Sequence, residues 1–235
     1  MIVQENSELV AAGYIVTRWV PRPTHVEATL LPSRLLTASD CIGDMFPSLW
    51  GIHWTAISKS DRLSEAAKFG IAPEDLPRLI KRATRALDQN EFGLSHWWFS
   101  PQAACAMLKE FVPAYSELVL VGLGLPRDLV ADFLAKANAE DRSGVCTMLR
   151  SQQSLAPGGT PLGWEALGYE FGGSFHSWLC NSLEKGASAK LGIRPAANGL
   201  LANEGDARAV AKFAERGNAE PVPWLPVLLV EYEIE

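Results

Sequence analysis

The segment Phe175-His176-Ser177-Trp178-Leu179-Cys180-Asn181 holds a histidine and a cysteine four residues apart. On a helix, that spacing puts both side chains on one face. A histidine beside a cysteine can take the thiol proton and turn the sulfur into a nucleophile. The same two residues are also half of a tetrahedral zinc site, which Cys41 and His53 would complete. Neither reading has the spacing of a familiar cysteine-enzyme or zinc pattern. The commoner arrangement is a buried cysteine packed as a small hydrophobe beside a histidine bonded to backbone. The expectation is therefore no catalytic, cofactor-binding or metal residue. The catalytic alternative is Cys180 with His176, and the metal alternative is Cys41, His53, His176 and Cys180.

Other patterns are weaker still as chemistry. Gly122-Leu123-Gly124-Leu125-Pro126-Arg127 stands where a phosphate-binding turn would stand. The dinucleotide fingerprint needs a third glycine at 127, however, and that position is arginine. It reads as an ordinary turn before a helix. Arg78, Lys81, Arg82 and Arg85 form a basic stripe that could grip phosphates, but the solvated face of an amphipathic helix looks the same. Glu165 and Glu170 are five apart, so on a strand they point to opposite sides and make a poor acid–base pair. Asp40 and Asp44 flank Cys41 in a loop with Gly43, where carboxylates can coordinate a cation but more often cap turns.

Strands and helices must position these residues. Residues 14–20 are β-branched and aromatic between Gly13 and a proline pair, which predicts a strand. Shorter strands are expected at 35–39 and 51–55, and others at 117–122, 145–150, 162–171 and 224–234. Helices are expected at 60–69, after Pro73, from Ser100-Pro101 to 112, and at 127–138, 175–191 and 204–216. Leu76, Leu79, Ile80, Ala83 and Leu87 follow helical spacing, so one face of that helix is apolar. In the same way Phe175, Trp178, Leu179 and Leu183 predict an amphipathic helix with Trp178 turned to the core. The irregular order of strands and helices favours a single α+β domain with a mixed or largely antiparallel sheet and helices packed against it. The best candidate boundary is 152–159, and it is too short for a linker.

Composition narrows the function classes. The chain has 235 residues, a formal charge of −6 and eight tryptophans. Residues 101–235 carry 16 acidic against 11 basic side chains, which disfavours nonspecific nucleic-acid binding. The four cysteines, at 41, 105, 146 and 180, include no close pair, a pattern of reduced thiols rather than a disulfide framework. No apolar run approaches the length of a membrane span, and residues 1–5 lack a signal-peptide pattern. A cytoplasmic protein without a cofactor is expected.

The stretch from Gly163-Trp164-Glu165 through Phe175-His176-Ser177-Trp178-Leu179-Cys180-Asn181 to Leu191-Gly192-Ile193-Arg194-Pro195 and Asn198-Gly199-Leu200 is similar to the C-terminal part of uncharacterised bacterial proteins. Some of these resemble immunity proteins of polymorphic toxin systems. That resemblance implies a protein-binding module that neutralises a toxin by contact, without chemistry of its own. The acidic balance would suit a basic toxin as partner. A small thiol-dependent enzyme using Cys180 and His176 is the alternative.

Overall fold

A strand buried on both faces reads as an unbroken apolar run, and two such runs pair antiparallel here. They are β1 (Leu9–Arg18) and β4 (Leu118–Pro126). The computed structural model describes residues 8–24, 33–45, 58–93, 97–113, 117–137, 144–171, 175–180, 182–217 and 219–234. With β5 (Thr160–Tyr169), β6 (Phe175–Ser177) and β7 (Trp224–Tyr232), the two strands make a five-stranded sheet ordered β1-β4-β7-β5-β6. Every pairing in it is antiparallel. A separate two-residue ladder joins β2 (Val20–Pro21) to β3 (Arg34–Leu35).

Side chains along the strands alternate between two apolar clusters, one on each face. One face packs under α1 (Lys59–Lys68), α2 (Leu76–Asp88), α3 (Pro101–Phe111), α6 (Leu183–Leu191) and α7 (Glu204–Gly217). The other packs under α4 (Arg127–Lys136) and α5 (Val145–Ser151). The expected α+β class with an antiparallel sheet is what the chain forms. Among the described residues no helix is long and apolar enough to cross a membrane.

Both register shifts in the sheet fall at a glycine, between Ala11 and Gly13 in β1 and between Pro161 and Gly163 in β5. Gly13 has φ +141°, and a Cβ there would stand 2.9 Å from the Trp97 ring. Gly13→Ala is therefore expected to cost roughly 1–3 kcal/mol, read as a lower urea midpoint. An unchanged midpoint would mean that the bulge relaxes freely.

Several expected elements change. Residues 145–150 form the helix α5, not a strand, because Val145, Cys146, Met148 and Leu149 are buried at helical spacing. Gly122 and Gly124 lie inside β4, not in a turn, and a Cβ on Gly122 would meet the Tyr14 and Tyr232 rings at 2.9 and 2.8 Å. The helix expected over 175–191 begins only at Leu183. Phe175–Ser177 is instead strand β6, paired to Leu167, Gly168 and Tyr169, and a turn follows at 178–180. His176 and Cys180 are consequently not on one helical face. The strand expected at 51–55 lies outside the described residues.

Candidate functional site

Strand β6 carries His176, and the loop after β3 carries Cys41, so the sheet edge brings together residues far apart in sequence. A buried carboxylate anchors that loop. Glu165, on β5, is fully buried. It accepts from the Thr37 hydroxyl at 2.6 Å and from the Ala38 amide at 3.0 Å. Burial pushes its carboxyl above the ordinary range, opposed by the bonds from Ala38, Ser177 and Thr37. Asp40 fixes the loop from its other end by accepting from the Phe175 amide at 2.7 Å.

Ser39 is the hub. Its hydroxyl donates to the Phe175 carbonyl at 2.7 Å and accepts from the Cys41 amide at 3.1 Å. The Cys180 sulfur lies 3.2 Å from the same oxygen. A hydroxyl has one proton, already given to Phe175, so the Cys180 S–H is the donor. Burial pushes the Cys180 thiol up to about 12, which agrees with a protonated donor.

Cys41 and His176 are in direct contact. The Cys41 sulfur lies 3.1 Å from His176 Nδ1, and His176 Nε2 lies 3.2 Å from Glu170 Oε1. A carboxylate only accepts, so Nε2 carries the proton and Nδ1 presents its lone pair to the Cys41 thiol. The Cys41 side is exposed, Glu170 is 46% exposed and His176 is 14% exposed. Burial, followed by the Asp40 and Glu170 carboxylates, holds the Cys41 thiol above its ordinary value. The Cys41 sulfur therefore rests as the thiol.

Three of the four residues weighed for metal or thiol chemistry thus converge, in a different arrangement from the one expected. Cys41, not Cys180, is the partner of His176, and Cys180 reaches the site through Ser39. His53 lies outside the described residues. Among the described residues no group of three or more His, Cys, Asp or Glu side chains is arranged to hold a metal ion. Glu165 and Glu170 do point apart, one into the core and one to His176. Spacing could not reveal Glu170 or Ser39 as site residues, because Glu170 meets His176 beside the paired strands β5 and β6, and Ser39 meets Phe175 and Cys180 from a distant loop.

Several of the remaining candidates have partners within the chain. Asp44 pairs with Arg18 at 2.7 Å. In the basic stripe, Arg78 faces Asp75 at 3.4 Å and stacks over Phe111, while Arg82 binds Glu91 at 2.7 Å. Comparison with protein-family models, with curated proteins and with solved structures finds no match to this chain.

Proposed function

We propose that this chain is a thiol enzyme in which Cys41 is the nucleophile, His176 its base and Glu170 the group that orients His176. The observation that carries this reading is the continuous contact from Cys41 Sγ through both ring nitrogens of His176 to Glu170. This is the order of nucleophile, base and orienting acid that nucleophilic catalysis requires. Because the thiol rests protonated, the proton moves to Nδ1 as sulfur attacks. The substrate reaches an exposed sulfur from solvent. Two carboxylates beside it disfavour anions.

The test is alkylation by iodoacetamide followed by peptide mass spectrometry. Cys41 is expected to react faster than Cys105, with a rate that climbs through pH 9. A thiol held above its ordinary value is at most a few per cent thiolate at pH 7. His176→Gln is expected to slow alkylation of Cys41 at neutral pH by at least about tenfold. An equal rate in that variant, with the fold intact by circular dichroism, would remove the base from the reading.

The immunity-like binding module is the alternative, with a basic toxin as its partner and the cytoplasm as its place. It rests on the acidic excess and on the C-terminal resemblance. The described tryptophans offer it little surface: five of the six are buried, and Leu191 is the exposed large hydrophobic among the described residues. Co-purification of a stoichiometric basic protein, unaffected by alkylation of Cys41, would favour it.

A further inference from the structure

We propose that Cys180 is the resolving thiol of Cys41, and that the pair reduces a hydroperoxide by closing an intramolecular disulfide. The inference rests on the reading of Cys41 as the attacking thiol and adds its substrate class. Simple acyl transfer has no use for a second thiol, yet the fold places one here. The Cys41 amide and the Cys180 sulfur share the Ser39 hydroxyl, at 3.1 and 3.2 Å, which brings the two cysteines to one point of the fold. Cys41 lies in a loop and Cys180 in the turn at 178–180, so neither belongs to a regular element that would resist a shift to disulfide geometry. Neither Cys41 nor Cys180 is in a disulfide in this structure.

Exposure divides the roles. Cys41 is open to solvent, whereas Cys180 is half-buried and keeps its proton on Ser39. Asp40 and Glu170 beside Cys41 favour an uncharged substrate, and a hydroperoxide is uncharged at neutral pH. In the first step Cys41 sulfur attacks the distal peroxide oxygen and the O–O bond breaks. The thiol proton, taken by His176 Nδ1, passes to the departing oxygen, leaving a sulfenic acid and an alcohol or water. In the second step Cys180 sulfur attacks Cys41 sulfur and the S–O bond breaks. Hydroxide leaves with the Cys180 proton as water. The two sulfurs lose two electrons and the peroxide gains them. A small-molecule or protein dithiol regenerates the pair by exchange.

The experiment treats the reduced full-length chain with a few equivalents of hydrogen peroxide and maps the products by mass spectrometry. The expected result is a loss of about 2 Da, a linked peptide joining Cys41 to Cys180, and reversal by dithiothreitol. In Cys180→Ser, Cys41 is expected to be trapped instead as a dimedone adduct. Sulfinic acid on Cys41 with Cys180 still alkylatable, a disulfide to Cys105 or Cys146, or no oxidation of Cys41 would each overturn the inference, and the wild-type map alone decides this if the variant fails to fold. Where iodoacetamide modifies Cys41 in a His176-dependent way but peroxide yields no link, the thiol reading stands and this inference fails. A Cys41 inert to both reagents defeats both.

Discussion

Trp178→Ala is expected to destabilise the protein by about 3–5 kcal/mol, the range for truncating a large buried aromatic side chain. Trp178 is completely buried, in the cluster that also holds Trp164, Leu179 and Ala187. Its backbone ties three elements together. The amide donates to Ala166 on β5 at 3.0 Å, and the carbonyl accepts from Leu183 at the start of α6 at 3.1 Å. Alanine keeps those backbone bonds, so the loss is mainly side-chain contact and the cavity left behind. Urea unfolding of the variant measures it, and Trp178→Phe should recover part of the loss. A change within about 0.5 kcal/mol would instead mark the indole as a surface group, and the core placement would be wrong.

Glu165→Ala should be comparably severe, at roughly 3–5 kcal/mol, because truncation strands the buried Thr37 hydroxyl and Ala38 amide and opens a cavity. Glu165→Gln is the informative companion, since glutamine imitates the protonated acid and should cost far less. The sign of the pH dependence follows from the raised carboxyl. Between its ordinary value of 4.5 and the higher folded value, the native state holds a proton that the unfolded chain has released. Stability is therefore fullest below the ordinary value and falls as pH rises through that window. Denaturation midpoints measured across mildly acidic to neutral pH should show this slope in the wild type and lose it in Glu165→Gln. An identical slope in both would place its origin elsewhere. Because Glu165 anchors the loop that carries Cys41, the alanine variant should also lose His176-dependent alkylation, whereas the glutamine variant keeps it.

Segments whose signals are local were legible in the sequence. Ser100 before Pro101 marks the start of α3, and its hydroxyl accepts from the Ala103 amide at 3.2 Å. The spacing of Leu76, Leu79 and Ala83 marks the buried face of α2. Segments decided by distant partners were not legible. Phe175, Trp178 and Leu179 fit a helical stripe, yet Phe175–Ser177 joins the edge of β5, and Phe175 faces one cluster while Trp178 and Leu179 face the other. Burial of Trp178 was correctly expected from the wrong secondary structure, because a stripe reports which side chains are apolar and not how the backbone delivers them. The site was half legible. His176, Cys180 and Cys41 stood out as chemistry-bearing residues, but the bond from Cys41 to His176 spans 135 positions. Periodicity carries no information at that range.

That separation has a consequence for the order of assembly. Every bond that builds the thiol site from the Thr37–Cys41 loop joins residues at least 127 positions apart, once the local ones through Thr37 and Ser39 are set aside. Strand β1 likewise pairs with β4 across a hundred positions or more. Closing such loops costs entropy before any contact compensates it, and topologies dominated by distant pairings fold in roughly milliseconds to seconds rather than microseconds. A chain emerging from synthesis therefore carries Cys41 long before it carries Glu165, the base or the second thiol. Through that interval the sulfur lacks both its contact with His176 and its neighbour Cys180, so any chemistry at Cys41 that depends on them becomes a late signature of the completed sheet. In a refolding experiment, His176-dependent alkylation should appear together with the last phase of native structure and not before it.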